Sequence, residues 1–177
     1  MHVLVATDGQ LDPATVARFS KPLTGDDGTV TVLTMIEVPR ALLQDLRDHF
    51  SDSQPPTLLM TDHETVTATP AEAPRSWPGD DAVIEQYLAG KKDERCGPLV
   101  AALEAVGVRA ESTVVEGPAA RGILDAASSL DVDLIVVGSH GAGLFEGLLG
   151  STGTKVTRLA KRPVLLLRTD GHQGSAD

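Results

Sequence analysis

Five short runs of β-prone residues, four of them strongly apolar and each followed by a turn or a stretch with helical spacing, leave this chain few folds to choose from. They are residues 2–6 (HVLVA), 29–36 (TVTVLTMI), 109–115 (RAESTVV), 133–137 (DLIVV) and 164–168 (VLLLR). Short apolar runs bounded by turn residues read as strands buried on both faces, as in a parallel sheet. The intervening segments carry helix signals. Asp12 and Pro13 are an N-cap and first helical position, with Val16, Phe19 and Leu23 on one face. A second helical pattern starts at Asp80 or Asp81 and runs through Val83, Ile84, Tyr87 and Leu88, then through Leu99, Val100, Leu103 and Val106 to Gly107. Gly97 and Pro98 are expected to kink or split it. Pro118 opens a third helix, with Ala120, Ile123, Leu124, Ala127 and Leu130 at helical spacing, and a fourth runs from Ser151 to Lys161, stopped by Pro163.

Alternation of this kind predicts right-handed crossovers and an α/β fold: a doubly wound, Rossmann-like, five-stranded parallel sheet of order 3-2-1-4-5, with helices on both faces. Ligands of such sheets sit beyond the carboxyl ends of the strands, where strand order reverses. Here that crevice falls between strands one and four, with Asp8 opposite Gly138.

The rhythm lapses once. Six of the 11 prolines fall between Pro39 and Pro78, which predicts an insertion or long loop at about 39–79 rather than core. Within it, Leu42, Leu43, Leu46 and Phe50 match one amphipathic helix, and residues 57–68 a weak hairpin. The 177 residues suit one domain, 1–170, followed by a flexible tail at 171–177. Aromatics are only 3%, so Val, Leu, Ile and Ala must fill the core.

Net charge of −10 disfavours nucleic acid and anionic membrane surfaces as partners. One basic segment, Lys155, Arg158, Lys161 and Arg162, stands out locally; it complements a helix dipole, and only its first members are placed for phosphate contact. Cys96 is the only cysteine, so no intrachain disulfide or cysteine metal cluster can form, and it reads as a plain helix thiol. No run approaches the roughly 18 apolar residues of a membrane span, and MHVLVATDGQ lacks a basic leader region, so a cytoplasmic location is expected.

The stretch GSHGAGLFEGLLGST, residues 138–152, holds five of the 17 glycines, between the fourth strand and the last helix. Its N–H groups and those of the helix start can face an anion, with Ser151 and Thr152 adding hydroxyls. The same glycines also serve tight turns, and chemistry alone leaves both readings open. Two well-known signatures do not fit. The phosphate loop G-x-x-x-x-G-K-[ST] needs a lysine after the glycine, where this chain has Ser151, and the dinucleotide fingerprint belongs after the first strand.

The pattern resembles the universal stress protein family, whose members carry G-x-x-G, nine residues, then G-[ST] at this place. The chain has Gly138-Ser139-His140-Gly141, eight residues, then Gly150-Ser151. VLVATDG at 3–9 is similar to the family's first strand, VVEGPAARGILDAA at 114–127 to its third strand and helix, and RPVLLLR to its end. The resemblance spans the chain apart from 39–79. It implies ATP or AMP, with or without Mg, bound by a regulatory stress-response protein rather than an enzyme. Ala6, Thr7 and Asp8 would meet the adenine or ribose, and Met35 would offer its backbone to the adenine. Val137 and Gly138 would line the ribose, and Gly141, Gly150, Ser151 and Thr152 would hold phosphates. The spacer is one residue short, and Gly153 stands where a second hydroxyl is common; both bear on the triphosphate.

Single residues keep a plainer reading beside this one. Asp8 either meets the ligand or caps the turn through Gly9, and His140 either touches a phosphate or is a solvated loop residue. No catalytic nucleophile and base can be named, and the histidines show no zinc spacing. The apolar last strand at a sheet edge predicts a homodimer paired through it. Two alternatives stand behind the nucleotide-binding expectation: a dimeric interaction module without nucleotide, and, less favoured, a slow ATP-hydrolysing enzyme.

Overall fold

Side chains alternate across a strand, so a strand apolar at every position has to be covered on both faces. The first strand is one from Val3 to Ala6, and it lies at the centre of the sheet. The computed structural model describes residues 1–38, 80–139 and 150–168. Its strands are β1 (His2–Thr7), β2 (Thr29–Ile36), β3 (Arg109–Glu116), β4 (Leu134–Gly138) and β5 (Val164–Leu167). They pair in parallel throughout, in the order β3-β2-β1-β4-β5 that the alternation predicts. The helices are α1 (Pro13–Thr24), α2 (Asp80–Ala105), α3 (Ala119–Ser129) and α4 (Ser151–Leu159).

The chain divides into two units, Met1–Glu37 with Tyr87–Asp177, and Val38–Gln86. The sheet, α1, α3, α4 and α2 from Tyr87 onward belong to the first. In the second, the described residues are Val38 and the opening of α2 at 80–86. The proline-rich insertion expected at 39–79, with its helix and hairpin, and the tail expected at 171–177 lie outside the described residues.

The core has two halves, one on each face. Val3, Val5, Val30, Val32 and Val136 pack against Val16 of α1 and Cys96, Leu99 and Leu103 of α2. Leu4, Leu33, Ile135 and Val137 pack against Ile123 and Ala127 of α3 and Val156 of α4. Each such aliphatic side chain contributes about 1.5–3 kcal/mol through its burial. Aliphatics carry both halves, as the scarcity of aromatics requires. Burial pushes the Cys96 thiol up to about 11, so it packs as a small apolar group.

Two helices differ from expectation. In α1 the buried side is Val16, Ala17, Ser20 and Thr24, while Phe19 is 41% exposed, with the Arg18 guanidinium 4.9 Å from its ring centre. At about 100° per residue, Phe19 points roughly 115° away from the middle of that side. α2 is not split at Gly97 and Pro98; it runs on to Ala105 with Pro98 inside it. The lost N–H at Pro98 removes one helical hydrogen bond. Cys96, Leu99 and Leu103, all within 1% of full burial, hold the helix to the sheet on either side of that gap.

Asp12 caps α1: its carboxylate accepts from the Thr15 N–H at 2.7 Å, and Pro13 takes the first helical position. The Thr15 hydroxyl and N–H hold the Asp12 carboxyl below its ordinary value of 3.8. A depressed carboxyl stabilises the fold above its unfolded pKa, and the gain fades as pH falls through the lower folded value. Asp12→Ala is therefore expected to cost about 1 kcal/mol at neutral pH. Urea titrations at pH 7 and pH 2.5 check this, the gap between wild type and variant shrinking at the lower pH.

Candidate functional site

β1 and β4 are neighbours, Ala6 beside Val137, but the chain leaves them in opposite directions. After Thr7 it crosses to α1 on one face, and after Gly138 it crosses to α4 on the other. The divergence opens a cavity of about 150 Å3 at the carboxyl ends of β1, β2 and β4. Leu33, Met35, Ile123 and Val137 give it apolar walls; Thr7, Asp8 and Gly138 lie at the strand ends, and Gly150, Ser151 and Thr152 at the start of α4.

Asp8 sits in a tight turn: its Oδ1 accepts from the Gln10 N–H at 3.1 Å, while Thr7 Oγ1 accepts from the Gly9 N–H at 2.9 Å. The carboxylate is therefore part of the turn through Gly9, as the plainer reading has it, yet a carboxylate has about four acceptor positions and retains capacity for a ligand hydroxyl or amine. Gly9 has φ 97°, and a Cβ there would come 3.3 Å from Cγ of Arg95. A side chain is strained there by the backbone and crowded against Arg95. Arg95 continues past this turn to donate to the Met35 carbonyl at 3.4 Å. The Met35 backbone, expected to meet adenine, thus carries a side-chain donor on its carbonyl. The Met35 thioether lies where a Cβ on Gly122 would be, so the missing side chain on α3 makes its room.

The far wall depends on two backbone bonds. Ser139 N–H donates to the Leu167 carbonyl at 2.7 Å, and Gly150 N–H donates to the Ser139 carbonyl at 2.8 Å. Both ends of the glycine-rich stretch are thereby tied beside β4, and the eight-residue spacer does not carry Ser151 and Thr152 away from the cavity. The α4 N-cap, Gly150, makes no side-chain capping bond. First-turn N–H groups of such a helix are left for water or an anion, which the helix dipole favours.

Of the eleven residues expected from the sequence, the structure gathers nine around this cavity: Ala6, Thr7, Asp8, Met35, Val137, Gly138, Gly150, Ser151 and Thr152. His140 and Gly141 lie outside the described residues. Leu33, Ala119 and Ile123 also line it, beyond those the sequence points to. Leu33 stands two residues before Met35, hence on the same face of β2, and that spacing is a usable signal. The arrangement offers apolar walls for a flat ring, a carboxylate at one end, and N–H and hydroxyl donors at the other. Among the described lining residues, no His, Lys or Cys accompanies Ser151 or Thr152. Among the described residues no group of three or more His, Cys, Asp or Glu is placed to hold a metal, and no helix is long and apolar enough to cross a membrane.

This topology, with its cavity at the switch point, defines a doubly wound α/β protein of Rossmann-like class. The match to a family model is equally direct. The chain belongs to the universal stress protein family, whose model covers residues 1–168. Universal stress protein YxiE of Bacillus subtilis (strain 168) is 48% identical over 63 residues, 35% of this chain and 43% of that protein. Universal stress protein A homolog 2 of Coxiella burnetii is 36% identical over 89 residues, 50% of this chain and 59% of that protein. The matched stretches thus span about half the length of these curated relatives. Solved structures share the fold at lower identity. A universal stress protein from Archaeoglobus fulgidus in complex with dAMP is 20% identical, with TM-score 0.54, over 94% of this chain and 96% of that one. A universal stress protein family protein from Arabidopsis thaliana with AMP bound is 16% identical, with TM-score 0.55, over 100% of this chain and 97% of that one.

Proposed function

We propose that this chain binds an adenine nucleotide, ATP or AMP, in the switch-point cavity and serves as a cytoplasmic regulatory stress protein without a reaction of its own. One observation carries the reading: apolar walls, the Asp8 carboxylate and the Gly150–Thr152 donors converge on a single cavity from three strands and two helices. That the dAMP and AMP complexes belong to proteins of the same fold supports it. Asp8 takes the ribose or adenine end, Met35 and Val137 flank the base and sugar, and Gly150, Ser151 and Thr152 take phosphate. Ligand sites usually measure about 300–1,000 Å3. At about 150 Å3, this cavity fits the base and part of the sugar, leaving phosphates at its rim.

The chain is further proposed to work as a homodimer through β5, which lies at a sheet edge with Leu166 37% exposed. Light scattering at micromolar concentration checks the mass; a monomer refutes the pairing.

Nucleotide at about 100 times its Kd is expected to raise unfolding free energy by roughly 2.7 kcal/mol. Thermal unfolding and titration calorimetry with ATP, ADP and AMP test this directly. Absence of both a shift and a heat at millimolar nucleotide overturns the reading.

A further inference from the structure

Of the described strands, β3 alone has no buried side chain. It forms the sheet edge opposite β5. Its register sets Glu111, Thr113 and Val115 beside Thr31, Leu33 and Met35, hence on the face that α3 covers. There α3 and α4 bury residues of β1, β2 and β4, and no β3 residue joins that half of the core. A groove of about 760 Å3 is left between β3 and α3, with Val115 and Leu130 exposed along it.

The groove meets the switch-point cavity only at Met35, and its charge sets it apart from a nucleotide site. Glu111, Glu116 and Asp125 face a single cation, Arg121, which lies 3.6 Å from Asp125. The carboxylates of Glu111 and Glu116 are thus in excess, a balance that repels phosphate and attracts cations. Thr31 Oγ1 donates to Glu111 Oε1 at 3.0 Å, which holds that carboxylate in place at one end of the strand. The edge beside it is open. The Gly117 N–H donates to the Ile36 carbonyl at 2.9 Å, and alternation back along the ladder turns Val115 and Thr113 to β2 as well. The N–H groups of Ser112, Val114 and Glu116 then point outward, where no described strand takes them.

We propose that the β3 edge and the groove beside it dock an extended, basic segment of a partner protein, which adds a strand to the sheet. Alternate side chains of that segment enter the groove, a lysine or arginine over Glu111 and an apolar side chain over Val115. Acidic residues on an exposed edge deter neutral and acidic strands, so the same charge that protects the edge selects its partner. A second copy is the poorer occupant, because each chain has a net charge of −10 and brings the same carboxylates.

Two blocked peptides test this by amide NMR titration of the full chain at low salt: Thr-Lys-Thr-Thr-Thr-Val-Thr, with Lys and Val spaced as Glu111 and Val115 are, and its counterpart with Glu in place of Lys. The lysine peptide is expected to shift amides of β3 and α3, to bind about tenfold more tightly than the glutamate peptide, and to weaken as salt rises. Glu111→Gln keeps an acceptor for the Thr31 hydroxyl and is expected to lose about tenfold in affinity for the lysine peptide. Ser112→Pro removes an outward N–H while sparing the bonds to β2, and the same loss is expected. Circular dichroism verifies the fold of both variants. Equal binding of the two peptides, unchanged affinity in Glu111→Gln, shifts confined to other elements, or no binding of the lysine peptide at millimolar concentration overturns the proposal. So do β3 shifts that grow with protein concentration alone, which assign the edge to a second copy.

Discussion

Truncating Leu33 to alanine is expected to cost about 2–3 kcal/mol of folding free energy, and truncating Leu4 nearer 5 kcal/mol. Both side chains are fully buried on the α3 and α4 face of the sheet. They differ in what lies beside them. Leu4 is not among the residues that line the cavity, so the void left by its removal has to be borne by packed neighbours. Leu33 lines the cavity, and its removal enlarges a space that already reaches solvent. Water can enter there, which relieves part of the penalty. Urea unfolding of the two variants measures the difference as a shift in midpoint at constant slope. A loss below about 1 kcal/mol for Leu33→Ala would contradict its place in the core. Because the enlarged space adjoins Met35 and Ile123, the same variant is expected to weaken nucleotide binding as well.

Gly28→Ala is expected to cost about 3 kcal/mol or more, at the upper end for overpacking. A Cβ at Gly28 would overlap the Thr24 carbonyl oxygen, and would lie 2.6 Å from the Met1 carbonyl oxygen and 2.7 Å from Thr24 Cα. All three are backbone atoms, so no side chain can turn aside. The Gly28 N–H bonds to the Thr24 carbonyl at 3.0 Å, and the Thr29 N–H bonds to the Met1 carbonyl at 3.1 Å. Opening room for the methyl group stretches both, at the point where α1 is tied to the start of β1 and β2. Gly28 is not among the glycines with positive φ, so the requirement is for space. Gly90→Ala serves as the control. It lies in α2, a Cβ there meets nothing within 4 Å, and the change is expected to stabilise by about 0.5–1 kcal/mol. A Gly28→Ala variant as stable as wild type in chemical denaturation would contradict the close backbone packing at this turn.

The strands are legible because each is a β-prone run bounded by turn residues, and their order follows from alternation with helices. Phe19 defeats the sequence pattern because helical spacing alone does not say which of two adjoining sides meets the sheet; packing of Val16, Ala17 and Ser20 decides it. The Gly97-Pro98 pair reads locally as a break, but the burial of Cys96, Leu99 and Leu103 is a tertiary effect invisible to that reading. At the site, Asp8 and Gly138 can be named because a switch point follows from strand order, and Ala6, Thr7 and Val137 only through the resemblance to the family. Ala119 and Ile123 cannot, since their part depends on how α3 lies over β2. Lys155 reads in sequence as a complement to the helix dipole, and its place near the start of the last helix also allows phosphate contact.

The pairing of β1 bears on how the chain is made. Val3 sits beside Val30 on one side and Leu134 on the other. A ribosome adding about 5–20 residues per second delivers the first neighbour within seconds and the second roughly 7–26 s after β1 itself. During that interval the apolar strand at the middle of the finished sheet has one edge unclaimed, open to pairing with another nascent chain. Synthesis from the N-terminus therefore exposes first the strand that the mature molecule hides most completely.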